Sequence, residues 1–245
     1  MNLLLVEPAE VVGDVVRLRA LDRRAVHLRD VLRVTPGRTL RAGIVDGTLA
    51  DATVTAVDAD AITLALHPTT AAPPALPITL WLAVPRPKVL ARVLQAAASM
   101  GLASIELTNA WRVDKSYLKS PRLTPTALRA ELLLGAEQGG TPRLPTVRVH
   151  DRFMALVEQG RGAATHALVA HPHGGAPLEQ VVRPGPLAPT VVAIGPEGGW
   201  IDRELATLAD AGFAAVTLGA PILRTEAAVV AVVSQLLLLG RLEPA

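Results

Sequence analysis

Two stretches of this chain carry residue types and spacings that could hold a ligand and act on it. One is Ile194-Gly195-Pro196-Glu197-Gly198-Gly199-Trp200. The other is Leu218-Gly219-Ala220-Pro221-Ile222-Leu223-Arg224-Thr225-Glu226-Ala227-Ala228. Each follows a short apolar run and precedes a helical pattern, so each reads as a strand-to-helix turn rich in glycine and proline. Glycine admits positive φ and lets a ligand approach backbone N–H groups. Such turns at the carboxyl ends of strands are where open α/β sheets hold their ligands. Gly/Pro turns are also ordinary punctuation in α/β domains. Neither stretch contains G-x-x-x-x-G-K-[ST], and no G-x-G-x-x-G follows a strand, which excludes the two common nucleotide fingerprints. A third loop, His171-Pro172-His173-Gly174-Gly175, offers two histidines at i, i+2 with no helical carboxylate nearby. That is a poor ligand set, and no metal is expected.

Around these loops, strands and helices alternate from Ile78 onward. Strands are expected over Ile78–Val84, Ile105–Leu107, Val147–His150, His166–Ala170, Thr190–Ala193 and Ala215–Leu218. Helices are expected over Val89–Met100 with Gly101 closing it, Pro125–Gln138, Arg152–Gln159, from Asp202, and over Thr225–Leu239. Alternation of this kind requires a mostly parallel sheet covered by helices, an α/β domain. Before it, strands are expected over Val11–Leu18 and Thr39–Val45, and over Ala52–Val57 and Ala61–Leu66 about an Asp58-Ala59-Asp60 hairpin turn. One helix fits between Asp22 and Leu32, and short strands with one helix suggest a small barrel. His67 to Pro77 is the clearest linker. The expected organisation is residues 1–70, a linker at 71–77, and residues 78–245.

The chain has 245 residues, half of them hydrophobic, a formal charge of +2 and no cysteine. That supports a sizeable core and excludes disulfides, thiol catalysis and Cys-based zinc sites, as suits a reducing cytoplasm. The Met1–Glu7 run is too short for a signal peptide, and no run approaches membrane-spanning length. Two regions are locally basic. Arg17, Arg19, Arg23, Arg24, Arg29, Arg33, Arg38 and Arg41 lie in the first module, interleaved with acids. They read either as a salt-bridged surface or as phosphate contacts, which position RNA without reading its sequence. Arg112, Lys115, Lys119, Arg122 and Arg129 surround Trp111 and Tyr117. A basic loop with aromatics suits single-stranded RNA, and it equally suits an exposed loop with two partly buried rings.

IGPEGGW followed by LG-x-x-ILRTEAA resembles the two signature motifs of the bacterial small-subunit ribosomal RNA uracil-N3-methyltransferases. That family belongs to the SPOUT class of knotted, S-adenosylmethionine-dependent enzymes. His27-Leu28-Arg29-Asp30-Val31-Leu32-Arg33 is similar to the family's H-x-x-x-VLR pattern. Glu137-Gln138-Gly139-Gly140 with Pro142-Arg143-Leu144-Pro145 is similar to its EQ-x-G-R-x-R-x-P segment, with Thr141 in place of an arginine. Lys88 matches a lysine after the first strand of that domain. Ala96-Ala97-Ala98-Ser99-Met100-Gly101 replaces the usual Lys-Ala-Thr-Glu-Leu-Gly.

The resemblance implies a PUA-like RNA-binding β-barrel followed by a trefoil-knotted domain, in which the chain after about Ala188 threads through an earlier loop. It implies S-adenosylmethionine in a cleft made by His171–Gly175, Gly195–Trp200 and Leu218–Thr225. The donor contacts are expected at His171, Gly195, Pro196, Glu197, Gly198, Gly199, Leu218, Gly219, Ile222, Leu223, Thr225 and Ala228. RNA contacts are expected at Arg29, Arg33, Lys88, Arg112, Lys115 and Arg143. The expected partners are 16S ribosomal RNA or the small subunit and a second copy of the chain.

Methyl transfer from a sulfonium demands in-line geometry more than acid–base power. Uracil N3 carries a proton that must leave, and an arginine aimed at the uracil oxygens would stabilise the resulting anion. Arg224, beside the donor loop, is the candidate. Glu226 either sits favourably at the helix N-terminus or orients Arg224. Glu197 holds either ligand or backbone. No residue here is an obvious general base, which leaves water or hydroxide. Three function classes follow: this methyltransferase, a knotted enzyme acting on another RNA base, and a non-catalytic RNA-binding assembly protein.

Overall fold

The computed structural model describes residues 2–243; Met1, Pro244 and Ala245, at the ends of the ranges expected above, lie outside the described residues. The chain divides into two compact units. One holds the described residues up to Pro74 together with Leu133–Leu144, and the other holds Ala75–Leu132 together with Pro145 onward.

The first unit contains β1 (Leu4–Val6), β2 (Val11–Val12), β3 (Val15–Arg19), α1 (Arg23–Val26), β4 (Thr39–Ile44), β5 (Thr48–Val57) and β6 (Ala61–Ala71). A π-helical turn over His27–Val31 continues α1. The strands form one sheet in the order β1-β4-β5-β6-β3-β2. Only β1 with β4 is parallel. In β3 the period-two pattern is plain: Val16 and Leu18 are buried while Val15, Arg17 and Arg19 face water. Their buried side joins Leu4, Val6, Ala25, Leu28, Val54, Ile62, Leu64 and Leu66 in one core.

Three expectations are corrected here. Val11 to Leu18 is not one strand. Gly13, at φ 66, turns the chain so that Val11 pairs antiparallel with Val16. The strand β1 was not foreseen, because three consecutive buried residues carry no alternation to detect. β6 runs to Ala71 and β7 opens at Leu76, so strand residues reach into both ends of the expected 71–77 linker.

Arg24 is nearly buried and is held by Glu10 at 2.6 Å, Asp22 at 2.6 Å and the Leu5 carbonyl at 2.9 Å. Burial opposes its charge, but the hydrogen bonds it donates to Glu10 and Asp22 together outweigh that and keep the guanidinium charged. In turn, the Arg24 hydrogen bonds hold both carboxyls below their usual range. A depressed carboxyl pKa stabilises the fold above its unfolded value, and that contribution disappears as pH falls through the folded value. Stability of the wild-type protein should therefore drop as the solution is acidified below about pH 4, near the ordinary carboxyl range. Arg24→Met should lose about 2 kcal/mol at neutral pH, less than a fully buried pair costs because both acids are partly wet. It should also flatten the acid slope. Denaturant melts of both proteins at neutral and acid pH check this, and parallel pH profiles would refute it.

Leu133–Leu144 is stitched to the same unit. The backbone N–H groups of Asn2 and Leu3 donate to the Glu137 carbonyl. The buried Glu137 carboxylate takes both arms of Arg23 at 2.7 Å.

The second unit contains β7 (Leu76–Ala83), α2 (Pro87–Met100), β8 (Leu102–Thr108), α3 (Lys115–Leu118) and α4 (Pro125–Gly139). It continues with β9 (Thr146–His150), α5 (Phe153–Gln159), β10 (His166–Ala170), β11 (Ala176–Pro177) and α6 (Leu178–Val181). It ends with β12 (Thr190–Ile194), α7 (Asp202–Asp210), β13 (Ala214–Thr217) and α8 (Thr225–Leu239). The last turns of α4 belong to the first unit. All seven strands are parallel, in the order β11-β13-β10-β12-β7-β8-β9. The central β12 is buried at every residue, as a parallel strand covered on both faces must be. On one face α2 presents Val89, Leu90, Val93, Leu94, Ala97 and Ala98 inward, and α8 packs against α2 and β12. No helix among the described residues is long and apolar enough to cross a membrane.

Candidate active site

The strand order determines which loops meet. β13, β10, β12 and β7 are consecutive neighbours. Their carboxyl ends feed the segments beginning at Leu218, His171, Gly195 and Val84, so loops far apart in sequence open on one edge of the sheet. The chain lays down β12 between β7 and β10, both of which precede it. Such a break in strand order is where an open α/β sheet leaves a crevice.

The crevice is a cavity of about 810 Å³, within the roughly 300–1,000 Å³ typical of small-molecule sites. Every residue assigned above to the donor lines it, together with Arg224, Glu226 and Arg112. Lys88 and Lys115 are exposed but do not line it. Arg29, Arg33 and Arg143 belong to the first unit. There Arg33 is exposed at φ 48, Arg29 donates to the Asp58 carbonyl, and Arg143 Nε donates to the Pro73 carbonyl. Thr141, in the position of the family arginine, accepts the Arg143 N–H through its hydroxyl at 3.2 Å.

The loop walls suit a close-lying ligand. Gly219 sits at φ 124, a conformation that side chains with a Cβ rarely adopt. A Cβ on Gly195 would come within 3.1 Å of the Trp200 backbone nitrogen, so a side chain there would crowd that backbone. Trp200 is buried, packs on Phe153 at 5.5 Å between ring centroids, and its Nε1 has no partner among the described residues. His171 Nδ1 lies 2.8 Å from the His173 carbonyl and so folds its loop on itself. Gln235 from α8 donates to the Leu218 carbonyl at 3.2 Å and pins the third loop. A second cavity of about 780 Å³ lies beside that loop, lined by Pro172, Gly219, Leu238 and Leu242 among others. It contains neither the Gly195–Trp200 turn nor any arginine.

Four arginines line the crevice, and three are committed. The Arg86 backbone N–H and Nε both donate to Glu197, at 3.0 and 3.2 Å. Arg92 approaches Glu226 at 3.5 Å. Arg112 Nη1 donates to the Gly198 carbonyl at 2.6 Å. Arg224 has no hydrogen-bond or ion-pair partner among the described residues, and it is exposed at the N-cap of α8 in an extended conformation. Glu197 thus bonds backbone and guanidinium at the start of α2. Glu226 stands in the first turn of α8 facing Arg92, where its carboxylate favours the helix N-terminus.

Sequence reasoning missed Arg86 and Arg92. The available signal is Arg86-Pro87 close after a buried strand, two residues before Lys88. Ser99, at a position where the family carries a charge, returns its hydroxyl to the Ala96 carbonyl at 2.8 Å.

Residues 72–237 match the family model described as an RNA methyltransferase domain. The chain is 30% identical to the ribosomal RNA small subunit methyltransferase E of Treponema pallidum over 93% of its own length and 87% of that protein's. It is 32% identical to the enzyme of the same name from Synechocystis sp., over 66% of this chain and 53% of the other. The crystal structure of the ribosomal RNA small subunit methyltransferase E of Neisseria gonorrhoeae bound to S-adenosyl methionine superposes with a TM-score of 0.77, at 25% identity and 98% coverage of both chains.

Proposed function

The chain belongs to the RNA methyltransferase family, and we propose that it uses S-adenosylmethionine to methylate N3 of a uridine in the 16S ribosomal RNA of the small subunit. One observation carries the reading. The glycine turns after β12 and β13 wall a cavity of donor size whose single uncommitted guanidinium, among the described residues, is Arg224.

The bound donor would supply a methyl carbon made electrophilic by its sulfonium. The turn at Gly195–Gly199 and the loop from Leu218 to Leu223 would hold it by backbone and apolar contacts, with His171, Thr225 and Ala228 completing the wall. Uracil N3 gives its proton to water or hydroxide. Arg224, free of internal partners, stabilises the charge that develops on the uracil oxygens as N3 is deprotonated. Glu226 and Glu197 position the two helix starts that frame the site, through Arg92 and Arg86.

The division of labour follows the chain. Residues 1–70 act as a PUA-like RNA-binding module to which Leu133–Leu144 adds, 71–77 as the linker, and the rest of 78–245 as the methyl-transfer domain. Arg29, Arg33 and Arg143 serve as phosphate contacts on the first unit. Insertion of β12 between two earlier strands supports a trefoil threading of the second. Val230 and Leu238 remain exposed on the largely apolar α8, at 41% and 50%, which supports a homodimer through this helix. A ribosomal substrate puts the work in the cytoplasm.

The test is methylation of small subunits from a deletion strain by purified protein and donor, with the modified nucleotide mapped by mass spectrometry and the protein's mass read by light scattering. The expected product is one N3-methyluridine made by a dimer. A different modified base would redirect the substrate assignment, no transfer would end the enzymatic one, and a monomer would leave α8 as internal packing.

A further inference from the structure

The loop between β8 and α3 holds an indole in water. Trp111 is 79% exposed, whereas Trp81 and Trp200 are buried at 3% and 4%. An exposed indole offers a large flat apolar surface, and its N–H leaves a polar handle beside it.

The loop is rigid. Ala110 and Val113 on either side of the tip are buried, and the Val113 N–H donates to the Ala110 carbonyl at 3.0 Å. The Trp111 backbone N–H donates to Glu204 Oε1 at 2.8 Å. Glu204 is itself buried, and its other oxygen accepts the Ile201 N–H at the start of α7. Arg112, the next residue, lines the donor cavity and is clamped on the Gly198 carbonyl. Trp111 therefore presents its ring one residue outside the cavity wall, on a backbone that needs no further ordering when something binds.

The surroundings are cationic. Lys115 and Lys119 are exposed on the same stretch. Its acid, Asp114, caps α3 through the Ser116 N–H, and that hydrogen bond lowers its pKa and keeps it ionised. A flat π surface among positive charges, beside a site that acts on a base, matches an unpaired nucleotide.

We propose that Trp111 is the stacking platform for the unpaired RNA base that flanks the methylated nucleotide. The inference rests on the reading of the cavity as an RNA-methylating site. Stacking makes it sequence-tolerant, since every base offers a π face. Trp111 is thus a positioning residue, while Lys115 and Lys119 meet the backbone phosphates.

The experiment compares wild type, Trp111→Ala and Trp111→Phe for binding to small ribosomal subunits by filter assay at several salt concentrations. Rate at saturating subunits, donor affinity by calorimetry and mass by light scattering are read on the same proteins. Trp111→Ala should weaken subunit binding about tenfold, within the range of one base–aromatic stack, with an unchanged salt slope, donor affinity and saturated rate. Trp111→Phe should recover most of the loss, because a phenyl ring still stacks. Wild-type binding by Trp111→Ala, or no recovery by Trp111→Phe, overturns the proposal. Loss of the dimer by Trp111→Ala also overturns it and assigns the indole to a subunit contact. A wild-type protein that neither binds nor methylates subunits would instead sink the reading of the cavity itself.

Discussion

Arg224→Ala should lower methylation at saturating RNA and donor by about a hundred- to a thousandfold, the usual cost of removing one group that stabilises developing charge. The RNA concentration giving half the maximal rate should hardly move. The expectation rests on commitment: Arg86, Arg92 and Arg112 already bond Glu197, Glu226 and Gly198, so removing any of them disturbs a wall of the site. Arg224 has no such partner among the described residues, so its removal should leave the walls in place and take away only what it does for the substrate. The contrasting double variant, Arg29→Ala with Arg33→Ala, removes proposed phosphate contacts. It should raise the RNA concentration required and reduce the salt dependence while sparing saturated turnover. Single-turnover methylation against RNA concentration at two salt levels separates the two outcomes. Normal saturated turnover in Arg224→Ala would show that another group, one from the partner subunit included, carries the charge.

Gly198→Val and Gly219→Val should each weaken S-adenosylmethionine binding at least a hundredfold, about 2.7 kcal/mol, in proteins that remain folded. The two act differently. A Cβ at Gly198 would sit 3.1 Å from Arg112 Cδ, so the new side chain must displace the arginine or crowd the cavity. A flexible side chain yields readily, which is why the fold should survive. At Gly219 the nearest atom is Pro221 Cδ at 3.8 Å, so space is ample, but φ of 124 is hostile to valine. The loop would have to change its course past the donor. Gly195 is the wrong residue for this test, because a side chain there crowds the Trp200 backbone and threatens the unit itself. Calorimetry with the donor, alongside circular dichroism, is the measurement. Unchanged affinity in a folded variant would remove the donor from these loops.

Much of the second unit was legible along the chain. β10 and α8 start and stop where expected, and most other elements lie within a few residues of their expected ends. Their apolar runs are long, and glycine or proline marks the boundaries. The first unit was less legible for a physical reason. Its first strands, β1 and β2, are very short and carry no clean alternation, so Val11–Leu18 concealed a hairpin and Leu4–Val6 concealed a strand. Likewise the 133–144 segment lies far from residues 1–74 in sequence. Its membership in the first unit comes from Glu137 and Pro142 meeting Leu3, Arg23 and Asp46, contacts no local pattern announces.

For the site, the sequence by itself determined the loops and their residue types. Gly195–Gly199, Gly219 and Arg224 declared themselves because glycine and proline punctuation is local chemistry. Tertiary structure alone decided which of those loops share an edge and which charges are already paired. A parallel strand buried on both faces looks the same in sequence wherever it sits in the sheet, so nothing in Thr190–Ile194 says that it lies between β7 and β10. Ion pairing across more than a hundred residues, as between Arg86 and Glu197, depends wholly on that strand order. The same holds for Arg224: its sequence position put it next to the donor motif, but only the folded arrangement, with its neighbours' guanidiniums engaged, left it free to meet a substrate.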